Sequence, residues 1–323
     1  MATIFQIRGL LLEEAIAAAL RQGGLIPVGA GPASLPGRGG RHQVGVLTDF
    51  AVGTPFLAPA RLVIEAKCFT PGVRVGLSVV REAAETLRDL QAHLAWPVEG
   101  VPPVAGHRYG YAVFSVTPFT AEAERYAFAQ DVSVLSCGRS AFFTPVVSAI
   151  QALDHRDFEA GTNETVKADL RLLRAMVRRA MAGEGDGFKA YPTRARGRLK
   201  AVVSAAAGTG PSTIALASGS LPIFLTAAPS APGQWADVPE RLRVTVVPNG
   251  TGGWLMADAS GGEPLFSFDL AEDYASFFFR AGLVGGEPWR AILAAGGRGE
   301  AVPGGFRRVS FDLEAGWVAS LGL

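Results

Sequence analysis

Arg61-Leu62-Val63-Ile64-Glu65-Ala66-Lys67-Cys68 is the stretch that decides the reading of this chain. Leu62, Val63 and Ile64 make an apolar run of the kind found in a buried strand, so Arg61–Phe69 is expected to be one. Alternate side chains of a strand share a face. Glu65 and Lys67 therefore lie together, while Ile64 and Ala66 turn the other way into apolar packing. Two charges inside such a strand need a reason, because burial of an unpaired charge is costly.

The neighbouring segments frame that strand with helices. Leu10–Gln22 reads as a helix, with Leu12, Ile16, Ala19 and Leu20 on one stripe and Gly23-Gly24 as its stop. Gly29–Gly40 reads as a loop, and Arg41–Phe50 as a strand with His42, Val44 and Val46 on one face and Gln43, Gly45 and Leu47 on the other. Thr54–Ala60 reads as a turn or edge. After the Glu65 strand comes a helix over Leu77–Leu94, a Pro-rich loop over 96–106 and a strand over Tyr109–Val116. Thr120 is placed as the N-cap of a helix reaching Gln130, with Glu122 and Glu124 suiting its dipole. Val132–Ser136 is a short strand. The order helix, strand, strand, helix, strand, helix, strand implies an α/β fold built on a mixed sheet.

The composition shifts after residue 150. Asn163–Ala182 reads as one amphipathic helix carrying Val166, Leu170, Leu173 and Val177. From Arg198 onward short β-like stretches prevail: Leu199–Ala205, Thr213–Ala217, Ile223–Thr226, Leu242–Val247, Trp254–Ala257, Leu265–Leu270 and Phe306–Leu313. The expected organisation is an α/β domain over 1–150, a linking helix over 151–190 and a β-rich α+β domain over 191–323, whose role no motif assigns.

With 323 residues the chain has room for two domains. Thirty Lys and Arg against 29 Asp and Glu leave a net charge of +1, so contact with a polyanion must come from a local patch. Arg38 and Arg41 are candidates. The run Arg171, Arg174, Arg178, Arg179 is another, though the plainer account is a solvated helix face. Two cysteines, Cys68 and Cys137, suggest neither a disulfide framework nor a metal pattern and fit a reducing, cytoplasmic location. No signal peptide is read at the N-terminus, and no run of ~18 uncharged apolar residues suggests a membrane span.

Glu-x-Lys alone is a weak signal, since most such triplets are exposed ion pairs. Its setting strengthens it: a carboxylate and an ammonium at one strand end suit a Mg²⁺-dependent phosphodiesterase. The carboxylate binds a hard cation through oxygen. The cation activates water and neutralises phosphate charge. The lysine holds the attacking water or offsets charge developing on the phosphate.

Gly37-Arg38-Gly39-Gly40-Arg41-His42-Gln43-Val44, followed by the Glu65 strand, resembles the Mrr-like type IV restriction endonucleases of the PD-(D/E)XK superfamily. Tyr109–Ser115, Phe119-Thr120 and Ala123-x-x-Tyr126-Ala127 resemble the later strand–helix segment of that family. The resemblance covers about residues 8–137. It implies a restriction-endonuclease-like sheet, DNA as substrate, Mg²⁺ or Mn²⁺ as cofactor, action as a homodimer and a setting in bacterial defence. Glu65 would ligate the metal and Lys67 would position the nucleophile. The helix bearing Glu13 resembles the family's first helix, which often adds a carboxylate. Glu13 is preferred to Glu14 because it falls with Ile16 and Leu20; its plainer role is an acidic residue in a first helical turn.

One departure matters. The family carries an Asp where this chain has Gly45, which has no side chain to ligate. Gly45 inactivates the site, or another carboxylate rebuilds it, or the register differs. Asp49 lies four residues on, ~13 Å along a strand and too far to take the same place. Gln43, on the face of Gly45, can contact DNA or water, or simply face solvent. His42, on the opposite face, is expected to be structural, and His93, His107 and His155 lack zinc spacing. Gly37–Arg41 suits either phosphate contact or a plain loop. Two functions follow: a metal-dependent DNA endonuclease, or a catalytically silent nuclease fold that binds DNA or a protein. A further idea is that the β-rich half receives a small-molecule or protein signal.

Overall fold

The computed structural model describes residues 2–22, 26–28, 32–49, 60–95, 108–140, 143–158, 165–166, 168–185, 187–208, 213–218, 222–229, 241–248, 254–261, 264–268, 289–294 and 306–313. The turn expected over residues 54–59 and the loop over 96–106, with His107, lie outside them.

Strand β1 (Ala2–Thr3) leads into helix α1 (Ile4–Gln22). The helix starts six residues before the expected Leu10 because Thr3 and Gln6 form a reciprocal cap. The Thr3 N–H donates to Gln6 Oε1 at 2.9 Å and the Gln6 N–H to Thr3 Oγ1 at 3.2 Å. This is the capping box, spelled in the sequence as Thr3-x-x-Gln6. Next come β2 (Ile26–Pro27), β3 (Ala33–Pro36), β4 (Arg41–Val44), β5 (Val46–Asp49) and β6 (Ala60–Lys67). The strand expected over Arg41–Phe50 is thus two strands, broken at Gly45. β4 pairs with β3, inside the stretch expected to be a loop, whereas β5 pairs with β6. The break also reverses the facing: Val44 packs in one apolar cluster and Val46 in the other, although an unbroken strand would put them on one side.

Helix α2 (Leu77–Ala95) buries Val80, Ala83, Ala84, Leu87 and Leu90, a stripe at helical spacing. Strand β7 (Arg108–Ser115) follows, then α3 (Ala121–Ala129). Thr120 caps α3, its Oγ1 accepting from the Ala123 N–H at 3.2 Å. β8 (Val132–Ser136) and α4 (Thr144–Gln151) come next; α4, with a proline in its first turn, carried no expectation. The five-stranded sheet runs β2-β5-β6-β7-β8. β2–β5 and β5–β6 are antiparallel, β6–β7 and β7–β8 parallel, so the sheet is mixed, as expected.

The helix expected over Asn163–Ala182 is a strand, β9 (Thr165–Val166), followed by α5 (Leu170–Met181). β9 pairs with β1, and Asp169 caps α5. Leu199–Ala205 is not a strand. It lies within α6 (Thr193–Gly208), whose Ala195, Leu199, Val202 and Ala206 are buried with α1, α4 and α5 against one face of the sheet. α2 and α3 cover the other face. Helical packing on the sheet therefore continues to residue 206, past the boundary at 191.

Strands β10 (Thr213–Ser218), β11 (Pro222–Pro229), β12 (Arg241–Pro248), β13 (Trp254–Asp258), β14 (Pro264–Phe268), β15 (Trp289–Ala294) and β16 (Phe306–Leu313) close a barrel in the order β10-β11-β14-β13-β12-β16-β15. β15 is the strand that carried no expectation; the others match theirs. Val244, Val246, Trp254 and Met256 belong to the same apolar cluster as α2 and α3. Among the described residues no helix is long and apolar enough to cross a membrane.

Candidate active site

β6 alternates as its sequence requires. Leu62 and Ile64 pack toward α1, and Val63 toward α2. Glu65 and Lys67 continue the Val63 side, where Lys67 Nζ lies 2.5 Å from Glu65 Oε1. Each side chain keeps about a quarter of its surface exposed (25% and 24%), so the pair stands at the rim of the core rather than inside it. From β7, the Tyr111 hydroxyl donates to the second oxygen, Glu65 Oε2, at 3.2 Å. Burial, and then the neighbouring Glu65 charge, push the Tyr111 phenol well above its ordinary range. Tyr111 stays a neutral donor that fixes the Glu65 carboxylate. It was not singled out in the sequence, although Glu65↔Val113 pairing places it one strand over and two residues back.

Glu13 reaches this region from α1. A Cβ built on Gly45 would lie 3.0 Å from Glu13 Oε1 and 3.2 Å from its Cδ. The Glu13 carboxylate thus occupies the space that a side chain at position 45 would enter. Its carboxyl is held above its ordinary value chiefly by burial, with Arg174 opposing and the charges of Glu14 and Glu65 adding to the rise.

The counter-charges come from α5. Arg174 Nη2 donates to Glu13 Oε2 at 2.6 Å and Nη1 to Glu14 Oε1 at 2.8 Å. Arg178 donates to both oxygens of Glu14, Nε to Oε2 at 2.9 Å and Nη2 to Oε1 at 2.6 Å. Glu14 is the more deeply buried of the two acids, its side chain only 2% exposed. The arginine run therefore divides. Arg171 and Arg179 face solvent, while Arg174 and Arg178 turn inward as the partners of α1. Neither the solvated face nor a basic patch describes those two.

Other expected residues sit apart. Gln43 is exposed on β4 and, among the described residues, no hydrogen bond joins it to Glu65 or Lys67. Arg41 is committed to Ser34, with Nε on Oγ and Nη2 on the carbonyl, each at 3.0 Å. Arg38 is exposed. The loop bearing it is tied to α2: Asp89 accepts from the Gly39 N–H at 2.7 Å and meets His42 Nε2 at 2.7 Å. His42 is structural, as expected. Burial works against the Asp89 charge, but the bonds from His42 and Gly39 outweigh it and hold its carboxyl low. Asp49 is taken by Arg61, its cross-strand partner, through two bonds of 2.6 and 2.9 Å. A group of exposed cations also went unread. Arg194 (74% exposed) and Arg198 share buried Asp157 at 3.4 and 3.8 Å, with exposed Arg156 and Lys189 close by in the chain.

Among the described residues no group of three or more His, Cys, Asp or Glu side chains converges. Glu65 on β6 and Glu13 on α1 are the carboxylates expected to ligate a cation, and each is ion-paired here, with Lys67 and with Arg174. That donor set suits Mg²⁺, which commonly takes one or two carboxylates and fills its remaining positions with water and substrate phosphate.

No protein-family model matches the chain, and no curated protein matches it. Among solved structures it is similar to the crystal structure of a protein of unknown function, AF1548, at 15% identity and a TM-score of 0.36, over 62% of this chain and 98% of that one. It is also similar to the DNA modification-dependent restriction endonuclease AspBHI, at 17% identity and a TM-score of 0.25, over 65% of this chain and 41% of that one. The chain thus spans about two fifths of that enzyme's length. Neither likeness carries an argument about function, and the site rests on its own residues.

Proposed function

We propose that this chain is a metal-dependent DNA endonuclease of the restriction-endonuclease type whose site lacks one carboxylate. The observation that carries the reading is the meeting of Glu13 with Gly45, beside the Glu65–Lys67 pair. An acid from the first helix, a gap at the position of the family's Asp and a Glu-x-Lys strand are the parts that the PD-(D/E)XK resemblance would call for, and the first two meet at Gly45.

Glu65 and Glu13 would hold Mg²⁺ or Mn²⁺. A cation bound there supplies charge neutralisation at the phosphate and a more acidic water. Tyr111 keeps one Glu65 oxygen in place. Lys67 holds the attacking water or donates to a phosphate oxygen, where its charge offsets the developing negative charge. Cutting both strands of a duplex would take a second copy of the chain. The barrel's part in this reading is recognition of a target or a signal, and the setting is bacterial defence.

The test is cleavage of plasmid DNA with Mg²⁺ or Mn²⁺ by the native chain and by Lys67→Ala. Metal-dependent nicking that disappears in Lys67→Ala supports the reading. Gly45 favours a second reading, a nuclease fold that binds DNA or a protein without cutting. No cleavage by the native chain, with duplex binding retained, would select it.

A further inference from the structure

We propose that Arg174 is the built-in counter-cation of Glu13, and that a divalent cation can take Glu13 only as the guanidinium yields it. The inference deepens the reading above and rests on it for the nature of the site.

Arg174 spans two carboxylates, but they depend on it unequally. Glu14 keeps both oxygens bonded through Arg178 whatever Arg174 does. For Glu13, Arg174 is the cation in contact. The bonded oxygen is Oε2, whereas Oε1 is turned toward Gly45 and has no protein hydrogen bond among the described residues. Glu13 is thus half engaged: one oxygen is held by α5 and one faces the site.

Charge counting gives the consequence. Glu13 and Glu65 carry two negative charges, and Lys67 and Arg174 return two positive ones. A divalent ion entering this neutral set brings an excess of positive charge beside Arg174, whose side chain is only 16% exposed, so solvent screens little. Removing the Arg174 charge leaves the set at −1 and frees both oxygens of Glu13. Displacement is the milder route, because Arg174 can let go of Glu13 and stay on Glu14, only 2% exposed. α5 lies beyond residues 8–137, so the resemblance does not speak to this contact.

The experiment is Mn²⁺ titration of the full chain by calorimetry, with no DNA present, for the native protein, Arg174→Gln, Arg174→Lys and Glu13→Gln/Arg174→Gln. Arg174→Gln is expected to bind Mn²⁺ about tenfold tighter than native or better, since loss of one adjacent like charge at intermediate dielectric exceeds the free energy of a tenfold change. Arg174→Lys, which keeps the charge, should stay near native, and the gain should vanish in the double variant. Equal Mn²⁺ affinity in native and folded Arg174→Gln overturns the proposal, as does a gain that survives loss of Glu13. Should Arg174→Gln not fold, Arg174→Met, of similar reach and uncharged, takes its place. Cleavage is not read, so failure of the nuclease reading and failure of this inference stay distinguishable.

Discussion

The carboxylate of Glu13 stands where a side chain at position 45 would have to go: Oε1 lies 3.0 Å from the Cβ that Gly45 lacks. An acid from α1 and a gap at the break between β4 and β5 share one small volume. That proximity sets what restoring a carboxylate there would do.

Gly45→Asp is expected to raise metal-dependent cleavage strongly. The neighbour in the way is the end of a flexible side chain, which can shift by a few tenths of an ångström. Gly45 is not among the glycines of positive φ, so its backbone accepts a side chain. Plasmid nicking in Mg²⁺ and Mn²⁺ reads the outcome. Cleavage by Gly45→Asp no greater than that of the native chain, with DNA binding retained, would mean that the missing carboxylate is not what limits the site.

Glu14→Gln should destabilise the fold by about 3 kcal/mol, the cost of stripping the partner from a buried ion pair. It leaves Arg178 without a carboxylate and Arg174 with only Glu13. Urea denaturation measures it. A loss near zero would show the network to be solvated.

Asp49→Asn should cost only about 1 kcal/mol, because its cross-strand pair with Arg61 is partly exposed. Mn²⁺ affinity should not change, since Asp49 is committed to Arg61 on the strand past the break. A drop in Mn²⁺ affinity would place Asp49 in the site.

Glu13 gives stability a pH dependence of definite sign. Its folded-state pKa is raised above the ordinary 4.5. Well below 4.5 the carboxyl is neutral in both states. As pH rises from 4.5 the unfolded chain ionises first, so this group's contribution falls until the native carboxyl has ionised too. Denaturant midpoints across that window should decline less steeply in Glu13→Gln. Identical profiles would refute the shift.

Duplex binding should depend on salt through the exposed cations. Arg156→Gln/Lys189→Gln/Arg194→Gln leaves Arg198 to neutralise Asp157. It is expected to lower the salt slope by roughly 0.9 for each phosphate that is no longer neutralised. Arg38→Gln/Arg41→Gln should have a smaller effect, because Arg41 is already bonded to Ser34. Fluorescence anisotropy against salt separates the groups, and a larger effect from the Arg38/Arg41 pair would contradict this prediction.

Some of what went unread was spelled out locally. Thr3-x-x-Gln6 announces the start of α1. Ala195, Leu199, Val202 and Ala206 recur at helical spacing, although Leu199–Ala205 is expected to be a short β-like stretch. The burial of one stripe against α1, α4 and α5 outweighs the β preference of two valines.

The sequence by itself determined the elements whose cues repeat within a turn or a pleat: the stripe of α2, the Thr120 cap, and the side of β6 that Glu65 and Lys67 share. Such patterns are local, so a few neighbouring residues suffice to write them. The tertiary structure alone decided the rest. The break at Gly45 depends on β4 and β5 finding different partners, β3 and β6. The fate of the arginine run depends on α5 docking on α1, which joins Arg178 to Glu14 across 164 positions of chain. A charge on a helix reads the same in sequence whether it meets water or a buried carboxylate, and only packing supplies the partner.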